Sequence, residues 1–145
     1  DSRIMNYELT KGNKIISFTD LNAWKEGHRL VIMIYNTTRQ FPKSELFGLT
    51  SQIRKAVVSI TSNIAEGFSR NTFKDKTNFY GIALGSLTET QNQLLVARDV
   101  GYINNLLFKE ISDQTIIVSK LCNGLLKSNA SRNKYSKDRI PREPN

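Results

Sequence analysis

The sequence predicts an all-α fold, an antiparallel up-down-up-down four-helix bundle. Three observations predict it. Four segments carry apolar residues three and four apart, the repeat of one helical face. Short connections between them hold turn and cap residues such as Pro42, Thr72 and Gly101. No stretch keeps up the apolar–polar alternation of a half-buried strand. At 145 residues the chain suits one domain, and a domain of that size folds without disulfides or metals. It divides into a leader (1–19), a helical unit (20–128) and a basic tail (129–145) expected to be disordered.

In the leader, Ile15, Ile16 and Phe18 suit a short extended piece packed on the helices. Thr19 or Asp20 then offers an N-cap. The first helix is expected over Leu21–Gln40. Leu21, Trp24, His28, Val31, Tyr35 and Thr38 form its a/d stripe, with Leu30, Ile34 and Phe41 as a second apolar line. Pro42 ends it. The second helix runs from Glu45 or Phe47 to Phe68 behind a Ser44 cap. Its stripe is Leu49, Ile53, Ala56 and Ile60, flanked by Val57 and Ile64, and Gly67 and Ser69 mark its exit.

The third helix starts at Thr72 with a capping box to Asp75. Phe73, Thr77, Tyr80, Leu84, Leu87, Gln91, Leu94 and Arg98 repeat along it, and at 1.5 Å per residue it is about 43 Å long. Gly81 and Gly85 each cost roughly 1 kcal/mol in a helix interior, which suggests close approach of another backbone. Gly101 is the stop. The fourth helix is expected over Leu106–Lys127, capped by Asn104 or Asn105. Leu107, Ile111, Val118, Leu121 and Leu125 face inward, with Gln114 interrupting the line.

The formal net charge is +8. The surplus sits on the first two helical segments and the tail, a distribution that suits polyanion partners. The candidate nucleic-acid contacts are Lys25, Arg29, Arg39, Lys43, Arg54, Lys55, Arg70, Lys74 and Lys76. No zinc-finger, RRM or helix-turn-helix signature is present, so recognition would be of backbone or shape.

An enzyme needs a constellation, and the sequence offers none. The single histidine, His28, cannot supply the paired Glu-x-x-His of a di-iron bundle. Its place on the apolar stripe reads as a packed or hydrogen-bonded core residue. No phosphate-loop or nucleophile-elbow motif is found, and no metal or other cofactor is expected. The lone Cys122 reads as a small core residue, and a lone cysteine makes the cytoplasm the default compartment. No apolar run suits a membrane span or a signal peptide. Asn63, Glu66 and Glu89 read either as a small binding site or, in the favoured reading, as a polar network that joins the second and third helices and fixes their register.

Several short motifs in fixed order go beyond a generic bundle. They are Phe18-Thr19-Asp20-Leu21-Asn22-Ala23-Trp24 and Tyr35, Phe41-Pro42-Lys43, Phe47-Gly48-Leu49, Gln52-Ile53-Arg54-Lys55-Ala56, Ser59-Ile60, Asn63-Ile64-Ala65-Glu66-Gly67, Gly85-Ser86 with Glu89, and Gly101-Tyr102-Ile103. Over about residues 18–125 the chain resembles the four-helix-bundle proteins encoded in intervening sequences of bacterial 23S rRNA genes. The family usually has proline where this chain has Thr61. The resemblance implies a ring-like homopentamer. It also implies a distant likeness to the accessory variability protein of diversity-generating retroelements, which works with a reverse transcriptase and nucleic acid. The expectation is therefore a non-enzymatic oligomeric accessory protein that binds structured RNA or an RNA–protein complex. The alternative is a scaffold that recruits a partner such as a reverse transcriptase, with no direct nucleic-acid role.

Overall fold

A computed structural model describes residues 14–138. The fold is all-α: four helices with no strand among the described residues. They are α1 (Asn22–Thr38), α2 (Leu49–Ser69), α3 (Phe73–Asp99) and α4 (Asn105–Asp138). Single 3-10 turns at Phe18–Asp20 and Lys43–Glu45 precede α1 and α2. Each helix packs on its neighbours in the chain, and α4 returns onto α1. One core results, with Leu30, Ile34, Ile53, Ile60, Ile64, Leu87, Leu94, Ile111 and Val118 at 2% exposure or less.

The entry to α1 differs from the expected cap. Asp20 turns back to Ser17 and closes a capping box around the 3-10 turn, and Leu21 then opens α1 with no side-chain cap. The backbone N–H groups of Ser17 and Ile16 donate to the Asp20 carboxylate at 2.9 and 3.0 Å, which holds its pKa below the ordinary range. Of the apolar leader residues, Phe18 packs edge-on against Trp24, whereas Ile16 is exposed.

The buried line of α1 is Ala23, Gly27, Leu30, Ile34 and Thr38. Of the expected stripe, Leu21 and Thr38 are buried, but Trp24 and Val31 are half-buried and His28 and Tyr35 are exposed. It is the second expected line, Leu30, Ile34 and Phe41, that lies wholly in the core. His28 is not a core residue; its ring stacks on Trp24 at 4.7 Å. The helix ends at Thr38, before Pro42, as Thr38 folds its hydroxyl onto the Ile34 carbonyl at 2.8 Å and tight turns through Gln40 and Phe41 follow.

Helix α2 buries Ile53, Ala56, Val57, Ile60 and Ile64, as its stripe predicts. Its start is set by Glu45, not Ser44: the Glu45 carboxylate accepts from the Leu49 N–H at 2.8 Å. The helix runs unbroken through Thr61, which is buried and donates its hydroxyl to the Val58 carbonyl at 3.0 Å. Helix α3 is capped by Thr72, which accepts from the Asp75 N–H at 3.1 Å. It ends at Gly101 (φ +86°), where Tyr102 N–H donates to the Ala97 carbonyl at 2.8 Å in the left-handed C-terminal cap that glycine favours.

The glycines expected to mark a close approach do not mark one within the chain. A Cβ at Gly81 or Gly85 would meet nothing within 4 Å. Close approach occurs at Gly27, where a Cβ would sit 3.1 Å from the Thr61 methyl, and at Gly67, where it would sit 2.6 Å from the Tyr80 ring.

Asn104 caps α4, its side-chain oxygen accepting from the Leu107 N–H at 2.8 Å. The helix then continues past Lys127 to Asp138. Residues 129–138 are therefore helix rather than a disordered tail, and 1–13 and 139–145 lie outside the described residues. Asn129 anchors this stretch. Its buried side chain donates to the Phe73 carbonyl at 2.8 Å and to the Thr77 hydroxyl at 2.7 Å, tying the second half of α4 to the start of α3.

Candidate nucleic-acid interface

The nine candidate cations fall into two groups. Three are engaged in holding the fold together. Arg54 donates from Nε to the Thr38 hydroxyl at 2.9 Å and lies 4.6 Å over the Tyr35 ring, joining α2 to α1. Arg70 pairs with Glu66 and covers the Phe79 ring at 4.8 Å. Lys76 donates to the Gly67 and Phe68 carbonyls at 3.2 and 2.7 Å, satisfying two orphan acceptors at the end of α2. Burial first, and then the nearby charge of Arg132, hold the Lys76 ammonium below the ordinary lysine pKa.

The other six are exposed. Lys25 and Arg29 stand on α1, with Arg29 within 3.9 Å of Glu26. Arg39 and Lys43 occupy the connection to α2, Lys55 lies in the second turn of that helix, and Lys74 sits at the start of α3. An open groove of about 620 Å³ runs beside Arg54 and Lys55. Tyr35, Leu46 and Val58 give it apolar walls, and Ser51, Ser59 and Ser62 add hydroxyls. Thr50 also lines it, and its hydroxyl is buried without a hydrogen-bond partner among the described residues.

Continuation of α4 adds cations that a disordered tail would leave unplaced. Lys120, Lys127 and Lys134 recur every seven residues, all exposed, and Lys137 follows one turn later. Seven residues are close to two helical turns, so the three lysines share a face. The sequence carried this signal in the spacing, but only if the helix is drawn past Lys127.

Of the residues expected to form a polar network between α2 and α3, none bonds across among the described residues; the bond between side chains of the two helices is Ser59 to Ser86. Asn63 donates to the Ser59 carbonyl at 2.7 Å and to its hydroxyl at 3.0 Å, and Ser59 meets the Ser86 hydroxyl at 2.8 Å. Glu66 and Glu89 take no part in that bond: Glu66 holds Arg70, and Glu89 accepts from Gln93 at 3.2 Å. Both carboxylates are exposed, which avoids the desolvation cost of burying a charge between helices. Two further ties join other helices. Gln114 donates to the Glu26 carbonyl and carboxylate at 2.9 and 2.8 Å, and Gln91 donates to Thr115 at 3.1 Å.

No group of His, Cys, Asp and Glu among the described residues is arranged to hold a metal ion. Cys122 is fully buried, and burial pushes its thiol up to about 11. None of the described helices is long and apolar enough to cross a membrane.

No curated protein matches the chain. Among solved structures it is similar to a protein of unknown function from the S23 ribosomal protein family of Bacteroides thetaiotaomicron VPI-5482. The TM-score is 0.67 at 23% identity, over 72% of this chain and 95% of that one. At that identity the likeness speaks for the fold. The family model described as 23S rRNA-intervening sequence protein matches residues 19–124, which take in α1, α2, α3 and more than half of α4, and the chain belongs to that family.

Proposed function

We propose that this protein is a non-enzymatic, cytoplasmic accessory protein that binds structured RNA, alone or within a ribonucleoprotein, through the phosphate backbone. In this reading each chain is an antiparallel up-down-up-down bundle and five chains form a ring. The observation that carries it is the surplus of exposed cations: Lys25, Arg39, Lys43, Lys55 and Lys74 make no ion pair among the described residues, and the α4 lysines add to them. Five copies of +8 carry about +40, a field that draws in a polyanion. The antiparallel arrangement is supported by the register of the side-chain ties. Residue 129 of α4 meets 73 and 77 of α3, whereas 115 meets 91. Self-assembly is supported by the outer face of α3, where Ile82, Val96 and Val100 are exposed at helical spacing beside the open Gly85.

Filter binding of a structured RNA over a salt series tests the reading. Expected is affinity that falls log-linearly with salt; no binding even at low salt removes it. Light scattering tests the ring, and a stable monomer removes the multiplied charge. The same exposed apolar face of α3 favours a second reading, a scaffold that recruits a protein such as a reverse transcriptase. A pull-down that survives nuclease and high salt would favour the scaffold.

A further inference from the structure

A second cavity, of about 490 Å³, opens where the end of α2, the start of α3, the later turns of α4 and the entering chain meet. Small-molecule sites commonly enclose roughly 300–1,000 Å³. Lys14, Lys76 and Arg132 line it, and no carboxylate among the described residues does. Phe68, Phe73 and Tyr80 line it as well. An ammonium has three donors. Lys76 uses two on the carbonyls that end α2, which leaves one. Tyr80 is 4% exposed as a residue and reaches the cavity wall.

Arg132 is near enough to both groups to act on them. Its charge adds to burial in lowering the Lys76 pKa, and it opposes the rise that burial imposes on Tyr80. Like charges gathered in a half-closed space without a counter-ion repel, and an anion relieves that repulsion. Aromatic walls add a surface on which a planar ring stacks.

We propose that this cavity binds a nucleotide, with the phosphate held by Lys14, Lys76 and Arg132 and the base against Phe68 and Phe73, beside the Tyr80 hydroxyl. The site is separate from the exposed cations of α1 and α2, none of which lines it, so it stands whether or not a long strand binds elsewhere.

Isothermal titration of the full chain with AMP and UMP tests the proposal, with inorganic phosphate and adenosine as the two halves of the ligand. Saturable binding is expected, about tenfold tighter for each nucleotide than for either half, a difference of about 1.4 kcal/mol. Arg132→Ala removes an exposed cation and is expected to weaken AMP by about tenfold with an unchanged melting temperature, an effect of the same size. Tyr80→Phe removes only the hydroxyl and is expected to weaken AMP several-fold. A 5′-phosphorylated trinucleotide that displaces AMP identifies the ligand as a strand end; one that does not identifies it as a free nucleotide, and both support the site. Absence of saturable binding at millimolar nucleotide, phosphate binding as tightly as AMP, or Arg132→Ala binding like wild type would each overturn it. Failure here leaves the salt-dependent RNA shift untouched, and failure of that shift leaves AMP binding untouched.

Discussion

Gly67 and Gly81 are both helical glycines, but their surroundings assign them opposite roles. A methyl at 67 would lie 2.6 and 2.8 Å from two ring carbons of Tyr80, which is buried and has little room to withdraw. Gly67→Ala is therefore expected to cost about 1–3 kcal/mol, as overpacking does, read as a lower urea midpoint. Gly81 faces open space within the chain. Gly81→Ala should gain up to about 1 kcal/mol of helix propensity. A loss instead would mean that another subunit covers that face. Cys122 supplies a pH test. Its thiol, ordinarily near 9.0, is raised to about 11 by burial. The folded state thus keeps its proton where the unfolded state loses it. The resulting stability is fully present below pH 9 and is lost as the pH rises through about 11. At pH 8 a thiol reagent should label the native protein only at the rate of its opening.

At the level of elements, α4 shows how one polar side chain extends a helix. The last turns carry Lys127, Arg132, Lys134 and Lys137 and little apolar surface, so no stripe announces them. Asn129 holds them down with two hydrogen bonds to α3. Asn129→Ala should cost about 1–3 kcal/mol through the partners left unpaired. Hydrogen exchange should rise in residues 129–138 first, and equal protection there in the variant would assign the anchoring elsewhere. The same logic governs what was legible beforehand. Helix α2 was readable because its large aliphatic residues and its polar residues lie on opposite faces. On α1 the apolar a/d pattern pointed beside the true seam, because Ala23 and Gly27 carry little hydrophobic signal and yet line the face where α1 meets α2 most closely. Of the polar residues expected to join α2 to α3, Asn63 bonds only Ser59 on its own helix, the side-chain tie across runs from Ser59 to Ser86, and Glu66 is drawn away by Arg70. The fates of Arg54 and Lys76 were not legible, since both are decided by atoms on other elements.

For the whole molecule, that sorting of cations makes the RNA reading sharply testable. Each lysine–phosphate interaction removed should reduce the salt slope by about one. Neutralising Lys25, Lys43, Lys55 and Lys74 to Gln removes exposed charges that make no hydrogen bond or ion pair among the described residues. The melting temperature should hold while the slope of log affinity against log salt falls by up to about four. Arg54→Gln should behave in the opposite way, because Arg54 ties α2 to Thr38 and packs on Tyr35. It should lower stability by about 1–3 kcal/mol and change the salt slope little. A slope insensitive to the four lysines, with affinity intact, would move binding to the α4 face of Lys120, Lys127 and Lys134, where the matching triple substitution would locate it. A slope insensitive to both sets would exclude both lysine faces as the phosphate-reading surface and leave Arg29 and Arg39 as the candidates to test next.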